Sequence, residues 1–134
     1  MKDMTSTSVY RTIPSTPIRK MTIKDTGSSI THFIGLIIAA LGTAPLLVRA
    51  GRHDSPIYMI SMAVFMASMI LLYAASTTYH TFDVSPSVNK LLKKVDHMMI
   101  SVLIAGSYTP VCLLVLNDRL GLILLGIVWG LAIT

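Results

Sequence analysis

Four apolar runs with short polar connections between them constrain the fold of this chain more than any other feature. The runs cover residues 30–48, 57–80, 95–116 and 120–134, and they contain almost no charged residues. A helix that crosses the ~30 Å hydrocarbon core of a bilayer needs about 20 mainly apolar residues, because each residue adds ~1.5 Å. The first three runs reach that length. The sequence therefore predicts an all-α integral membrane helix bundle, with three complete transmembrane helices and part of a fourth.

The composition fits a membrane protein and excludes several other classes. Of the 134 residues, 53% are hydrophobic and 13% are charged, which is too apolar for a soluble domain of this size. The net charge of +5 does not indicate a nucleic-acid partner, because the basic residues lie in the N-terminal segment and beside apolar runs. The sequence has no nucleotide-binding loop, serine nucleophile elbow or paired-cysteine metal motif. We therefore expect membrane lipids as partners and no nucleic acid.

Two regions of the chain differ in composition. Residues 1–27 are basic and rich in Ser, Thr and Pro, without helical or strand periodicity, so we predict a flexible tail. Residues 28–134 form the predicted membrane domain. Its last run, 120–134, ends without a basic stop signal, which indicates a chain that stops partway through its fourth helix.

Lysine and arginine residues predict the orientation of the bundle. The N-terminal tail carries five of the eleven, the connection between the second and third runs carries three, and the other connections carry three. Because basic residues concentrate on the cytoplasmic side of membrane proteins, we predict that the tail and the segment 81–94 are cytoplasmic.

Ionisable residues gather at one end of the predicted bundle. His32 begins the first run, His80 ends the second, and Asp96 and His97 begin the third. Alternating helix directions therefore bring all four to the cytoplasmic face, and His53 falls at the opposite face. Ionisable groups at membrane depth are costly unless they pair, face the bundle interior or bind a ligand. Their convergence predicts a polar site at the cytoplasmic mouth of the bundle.

Helical geometry selects among these residues. Ser76 and His80 are four residues apart and share one helix face, with Tyr73 one turn further into the membrane. Asp96 and His97 point ~100° apart, so at most one of them can face the same centre as His80. Small residues would also let the second and third helices approach closely, and these lie at 74–76 and 105–107.

Three segments are specific enough to indicate a protein family: "SSITHFIG", "ASTTYH" and "VDHMMISVLIAGSYTP". Their order and spacing resemble the haemolysin III family, the bacterial branch of the progestin and adipoQ receptor membrane proteins, from about Asp25 to the end of the chain. The resemblance implies a seven-helix bundle in the bacterial inner (cell) membrane, with this chain as its N-terminal portion and a zinc site on its cytoplasmic side. In that family the histidine matching His80 is a zinc ligand. The aspartate matching Asp96 lies by the metal-bound water, and the serine matching Ser76 lies close by.

The family's two remaining zinc ligands are absent from this sequence. They form a His-x-x-x-His pair on the last helix, and a catalytic zinc site needs three protein ligands and an open position for water. The missing C-terminal helices, or another chain, would have to complete the site. The resemblance implies that a complete site hydrolyses ceramide-like lipid amides with the help of zinc, which lowers the pKa of its bound water to ~7. Asp96 would then orient or deprotonate that water, and Ser76 would donate a hydrogen bond.

Structural roles compete with each catalytic assignment. His80 would also suit a membrane interface, Asp96 would complement the positive end of the third helix, and Ser76 would bond back to the helix backbone. His32 is interpreted as a polar contact at a helix start, and Pro110 as a kink in the third helix. For the whole protein, the alternatives to hydrolysis are a pore-forming or membrane-perturbing haemolysin and a non-catalytic membrane protein.

Overall fold

The computed structural model describes residues 23–116 and 118–134, which form a helical bundle. Its elements follow in the order α1 (Thr26–Ala50), α2 (Pro56–Thr81), α3 (Pro86–Pro110), a π-helix (Val111–Leu116) and α4 (Arg119–Ile133). These described residues contain no strand, which confirms the predicted all-α class. The segments 26–50, 56–81 and 86–116 are long and apolar enough to cross a membrane, and α4 is a shorter apolar helix.

Side-chain caps explain where the helices begin. Asp25, Ser55, Ser85 and Asp118 each precede a helix, and each accepts a hydrogen bond from a backbone N–H of the first turn. Proline follows the cap in α2 and α3, where its missing N–H costs no helical hydrogen bond. The connections between the first three helices are short, and α2 packs against both of its neighbours, so consecutive helices run antiparallel.

The third helix begins earlier than predicted, at Pro86 and not near residue 95. The prediction counted apolar residues and therefore found only the part that suits the hydrocarbon core. The preceding segment carries three lysines, but Ser85 caps it and no glycine interrupts it, so it continues the same helix. The predicted cytoplasmic loop, residues 81–94, is therefore mostly helical, and the connection consists of residues 82–85.

The predicted flexible tail overlaps the start of α1. Asp25 caps this helix by accepting the N–H of Ser28 at 3.3 Å, and Thr26 is the first helical residue. The prediction of a flexible segment is therefore wrong for residues 25–27. Residues 1–22 of the predicted tail lie outside the described part of the chain.

Small and polar side chains fill the interior of the bundle. The residues buried there include Ala39, Ser61, Ser68, Ala105 and Cys112. Large apolar side chains point outward instead, and Leu41 and Leu131 are 72% and 69% exposed. This arrangement suits a lipid surrounding, because lipid tails are as apolar as the side chains and leave small residues to pack helix against helix.

A close approach of α2 and α3 lies at Gly106. A Cβ atom added there would overlap the Ser68 side chain, so a larger residue would displace one of the helices. The neighbouring Ala105 is completely buried. The structure therefore confirms the prediction for Ala105 and Gly106, whereas their close contact on α2 is with Ser68 and not with the predicted residues 74–76.

Pro110 ends α3, and the π-helix begins at the next residue. Proline has no N–H to donate to the carbonyl of Gly106, which interrupts the α-helical pattern of hydrogen bonds. The structure thus has a change of helix type where the sequence predicted a kink. The Thr109 hydroxyl donates to the Ala105 carbonyl at 2.9 Å and accepts from the indole N–H of Trp129 at 3.1 Å, which ties α4 to α3.

Candidate functional site

A cleft of about 210 Å³ opens where α1 begins, α2 ends and the N-terminal half of α3 passes. We call it the polar pocket, and its lining consists of His32, Leu72, Tyr73, Ser76, His80, Asp96 and Ile100. All three residues predicted for the site, Ser76, His80 and Asp96, therefore lie in one pocket. Tyr73 joins them from the stripe that it shares with Ser76 and His80.

A hydrogen bond between α1 and α2 organises the inner part of the polar pocket. Ser76 Oγ lies 2.8 Å from His32 Nδ1, and the tautomer of the histidine decides which of the two donates. Ser61 and Ser68, on the same helix as Ser76, instead donate to backbone carbonyls of α2. Ser76 is thus not bonded back to its own helix, the structural role that competed with a function.

His32 also lines the polar pocket, although the sequence analysis interpreted it only as a polar contact at a helix start. Its ring centroid lies 5.5 Å from that of His80 and 6.2 Å from that of Tyr73. The sequence did indicate a role for His32 in the site, because His32 was one of the four ionisable residues predicted at this end of the bundle. Its contact with Ser76 depends on how α1 is rotated against α2, which the sequence alone does not give.

Asp25 is a second residue that sequence reasoning missed. Its backbone N–H donates to the carbonyl of His80 at 3.0 Å, and its Oδ2 atom lies 3.6 Å from His80 Nδ1. Hydrogen bonds from the Ser28 hydroxyl and N–H lower the pKa of Asp25 from its ordinary value of 3.8, and the nearby imidazole of His80 lowers it further. The cap of α1 therefore also contacts the last turn of α2.

Two more contacts join the same helix ends. The hydroxyls of Ser29 and Thr81 lie 2.6 Å apart and share a hydrogen bond. The ammonium group of Lys24 lies 3.7 Å from the centre of the Tyr79 ring, a cation–π geometry. The start of α1 is therefore fastened to the end of α2 directly beside His80.

Asp96 faces the polar pocket, whereas His97 faces away from it. The Asp96 side chain is 12% exposed and the His97 side chain is 61% exposed. His97 Nδ1–H donates to the Lys93 carbonyl of its own helix at 2.8 Å. This division follows from the ~100° between consecutive helical residues, and only Asp96 shares a centre with His80.

The start of α3 also tests the alternative structural role of Asp96, in which its charge complements the positive end of the helix. A carboxylate complements the positive end of a helix only within the first turn. Because α3 begins at Pro86, Asp96 lies well inside the helix and not at its start. The interpretation of Asp96 as a helix-end charge is therefore wrong. A carboxylate this deep in an apolar helix needs another reason, and the polar pocket supplies one.

The described residues do not by themselves fit a zinc ion. A catalytic zinc site takes three protein ligands, and among residues 23–116 and 118–134 no three His, Cys, Asp or Glu side chains are placed to hold a metal. The polar pocket does bring together groups of the right chemistry, namely the imidazoles of His32 and His80 and the carboxylate of Asp96. These groups can supply some of the ligands of a metal ion, accept a proton and orient a hydroxyl.

Bacterial proteins similar to this chain share most of its length. The family described as Haemolysin-III related matches residues 21–134. Hemolysin-3 of Bacillus cereus is 39% identical over 110 residues, which cover 82% of this chain and 50% of that protein. The Hemolysin-3 homolog of Bacillus subtilis (strain 168) is 39% identical over 113 residues, which cover 84% of this chain and 53% of that protein. The chain thus spans about half the length of these curated relatives.

A more distant similarity reaches a receptor-like protein. Progestin and adipoQ receptor-like protein 1 of Caenorhabditis elegans is 32% identical over 87 residues, which cover 64% of this chain and 20% of that protein. No solved structure matches the chain significantly. These similarities confirm the resemblance that the three sequence segments predicted. Together with the three helices that can span a bilayer, they identify a membrane protein.

Proposed function

Because this chain belongs to the haemolysin-III related family, we propose that its polar pocket is part of a zinc-dependent site that hydrolyses ceramide-like lipid amides. One observation supports this proposal above others: His80, Ser76 and Asp96 line a single pocket at one end of the bundle. The chain spans about half of its relatives, so the activity is proposed for the whole protein. Following the positive-inside rule, we place this end of the bundle at the cytoplasmic face of the bacterial inner membrane.

In this proposal His80 supplies one metal ligand, and the other ligands come from further helices, as the greater length of the relatives allows, or from another chain. His80 Nδ1 is turned towards Asp25, which leaves Nε2 as the nitrogen available to a ligand. An acidic partner on the second ring nitrogen is a common way to orient a ligating histidine. When bound, zinc would activate a water molecule and polarise the amide carbonyl.

Asp96 is proposed to hold a water molecule in the pocket and to take its proton. Its carboxylate is largely shielded from the surroundings but open to the cleft, which suits a general base. The pocket is otherwise walled by apolar and aromatic side chains, among them Leu72, Tyr73 and Ile100. These walls limit the water that reaches the carboxylate and strengthen its interactions.

Ser76 and His32 are proposed to orient the substrate. If His32 Nδ1–H donates to Ser76 Oγ, the Ser76 hydroxyl is free to donate a hydrogen bond to the developing oxyanion. With the other tautomer, the hydroxyl donates to His32 and is not available. The proposal therefore requires the Nδ1–H tautomer of His32.

The test uses the full-length protein, purified in detergent, with zinc analysis and release of a fluorescent fatty acid from a ceramide. We expect His80→Ala to lose both bound zinc and hydrolysis. Asp96→Asn should keep zinc and lose hydrolysis by about 10²–10⁴-fold, the usual contribution of a general base. His53→Ala, at the other end of the bundle, is the matched control and should leave both unchanged. A full-length protein that binds no metal would contradict the proposal.

The names of the two Bacillus relatives, Hemolysin-3 and Hemolysin-3 homolog, favour a second candidate, a membrane-perturbing or pore-forming haemolysin. Dye release from liposomes separates it from the hydrolase. Release that continues unchanged with His80→Ala and in the presence of a chelator would support this candidate. Release that is absent, or that requires His80, would exclude it.

A further inference from the structure

A basic groove runs along the outer surface of α3, beside the polar pocket. Its lining consists of Lys90, Lys93, Lys94, His97, Met98 and Ser101, and its volume is about 530 Å³. All of these residues belong to α3, so the groove is a feature of one helix surface. We propose that this basic groove binds the phosphate headgroup of an anionic phospholipid. The proposal is independent of the hydrolase activity.

The charge of the groove is concentrated on one helix face. Lys90 and Lys94 are four residues apart, Lys93 and His97 are also four apart, and all four side chains are exposed. None of the six residues that line the groove is acidic. Three ammonium groups on one face therefore form an attractive site for a phosphate.

The length of the helix places the groove at the membrane surface. The segment 86–116 has 31 residues and is therefore about 46 Å long, whereas the hydrocarbon core is ~30 Å thick. One end must extend beyond the core, and the lysine-bearing end is the one that a bilayer would exclude. The lysines therefore lie at the depth of lipid headgroups.

An exposed apolar side chain, Met98, lies in the groove beyond the lysines, which favours a lipid over a free phosphate ion. Met98 follows the lysines along the groove and is 48% exposed, and Ser101 is one turn further towards the membrane centre. A phospholipid can place its phosphate among the ammonium groups and the start of an acyl chain against Met98. A free anion would use only the charged half.

The experiment measures thermal stabilisation of the full-length protein, in uncharged detergent, by a short-chain phosphatidylglycerol. Phosphatidylcholine with the same chains and inorganic phosphate are the comparison ligands. We expect phosphatidylglycerol alone to stabilise the protein. Lys93→Gln with Lys94→Gln should weaken its apparent affinity by about fivefold for each lysine removed, and added salt should weaken it further. The matched control is Arg49→Gln with Arg52→Gln, which removes the same charge at the other end and should have no effect.

Several results would overturn the proposal. Equal stabilisation by phosphatidylcholine would show that charge plays no part, and equal stabilisation by inorganic phosphate would identify an anion site without a lipid. An equal loss of affinity for phosphatidylglycerol in the arginine control would show that the effect depends on net charge and not on this groove. Because these lysines are exposed, we expect the double variant to fold; if it does not, Lys90→Gln alone gives the same fivefold test.

Discussion

The two ends of this bundle contain similar residues in very different arrangements. At the end opposite to the polar pocket, a cleft of about 170 Å³ is lined by Leu46, Arg49, Ala50, His53, Tyr58 and Met62. It also combines a histidine with a tyrosine, as the polar pocket does. There His53 stacks flat on Tyr58, with ring centroids 4.0 Å apart and an angle of 8° between the rings.

The difference lies in which elements supply the groups. His53 belongs to the connection after α1, and the lining of its cleft contains no carboxylate. In the polar pocket, histidines from α1 and α2 meet a largely buried aspartate from α3. A histidine on a connection can turn towards water, whereas groups fixed on three helices at membrane depth must satisfy one another or a ligand. Residue type alone therefore does not distinguish a site from a surface contact.

The largest expected effect tests whether these ends lie on opposite sides of the bilayer. In a background with Cys112→Ala and no other cysteine, Lys94→Cys and His53→Cys should react with a membrane-impermeant thiol reagent from opposite sides. The expected result is all-or-none, because the apolar helix α2 crosses the membrane between the two positions. Labelling is measured in sealed vesicles of both orientations. Reaction of both cysteines from one side would end the comparison.

A second prediction concerns the packing that brings α3 to α2. Gly106→Val should lower the free energy of unfolding by about 1–3 kcal/mol, because its side chain would overlap Ser68. Gly126→Val is the matched control, since an added Cβ there meets nothing within 4 Å. Unfolding in detergent measures both. Equal losses would show that helix propensity, and not the approach of the helices, is responsible.

A smaller effect is expected for the bond inside the polar pocket. His32→Phe should cost about 1 kcal/mol of stability, because it removes a hydrogen bond and leaves the Ser76 hydroxyl without that partner. Combining it with Ser76→Ala should recover part of the loss, and a double-mutant cycle measures the coupling. The control His53→Phe keeps an aromatic ring on Tyr58 and should change stability less. A coupling of zero would mean that the two side chains do not interact.

The smallest effect is the pH dependence of the α1 cap. The folded-state pKa of Asp25 is lowered, so its stabilising contribution is fully present above the ordinary value of 3.8 and is lost as the pH falls through the lower folded value. Asp25→Asn should flatten this part of a stability–pH curve measured by thermal unfolding. Asp118→Asn removes a cap carboxylate at the other end and is the control. A curve that Asp25→Asn leaves unchanged would show that the ionised form is not preferred in the fold.

Hydropathy predicted the helices well and their ends less well. The three spans follow from the length that a bilayer requires, and the structure contains them. The start of α3 at Pro86 was missed because the lysine-bearing turns before the core are helical but not apolar. The start of α1 was missed because its first turn is polar and depends on the cap by Asp25. The length of an apolar run indicates which residues cross the hydrocarbon core, whereas capping residues determine where a helix begins or ends.

The site was predicted in part. Ser76, His80 and Asp96 could be grouped from the sequence, because helical periodicity and alternating direction place them at one end of neighbouring helices. His32 and Asp25 could not be assigned their contacts in this way. Their partners lie on α2, and the contacts depend on the rotation of α1 and on the path of the chain before it.

The sequence by itself determined that this chain folds as membrane-spanning helices and which of their ends carries the ionisable groups. Both follow from the cost of placing polar groups in hydrocarbon, which is a property of each segment alone. Only the tertiary structure decided that Asp96 turns inward and His97 outward, and that a serine hydroxyl on α2 meets an imidazole on α1. Those choices depend on how closely small residues such as Gly106 let the helices pack, and so on several segments at once.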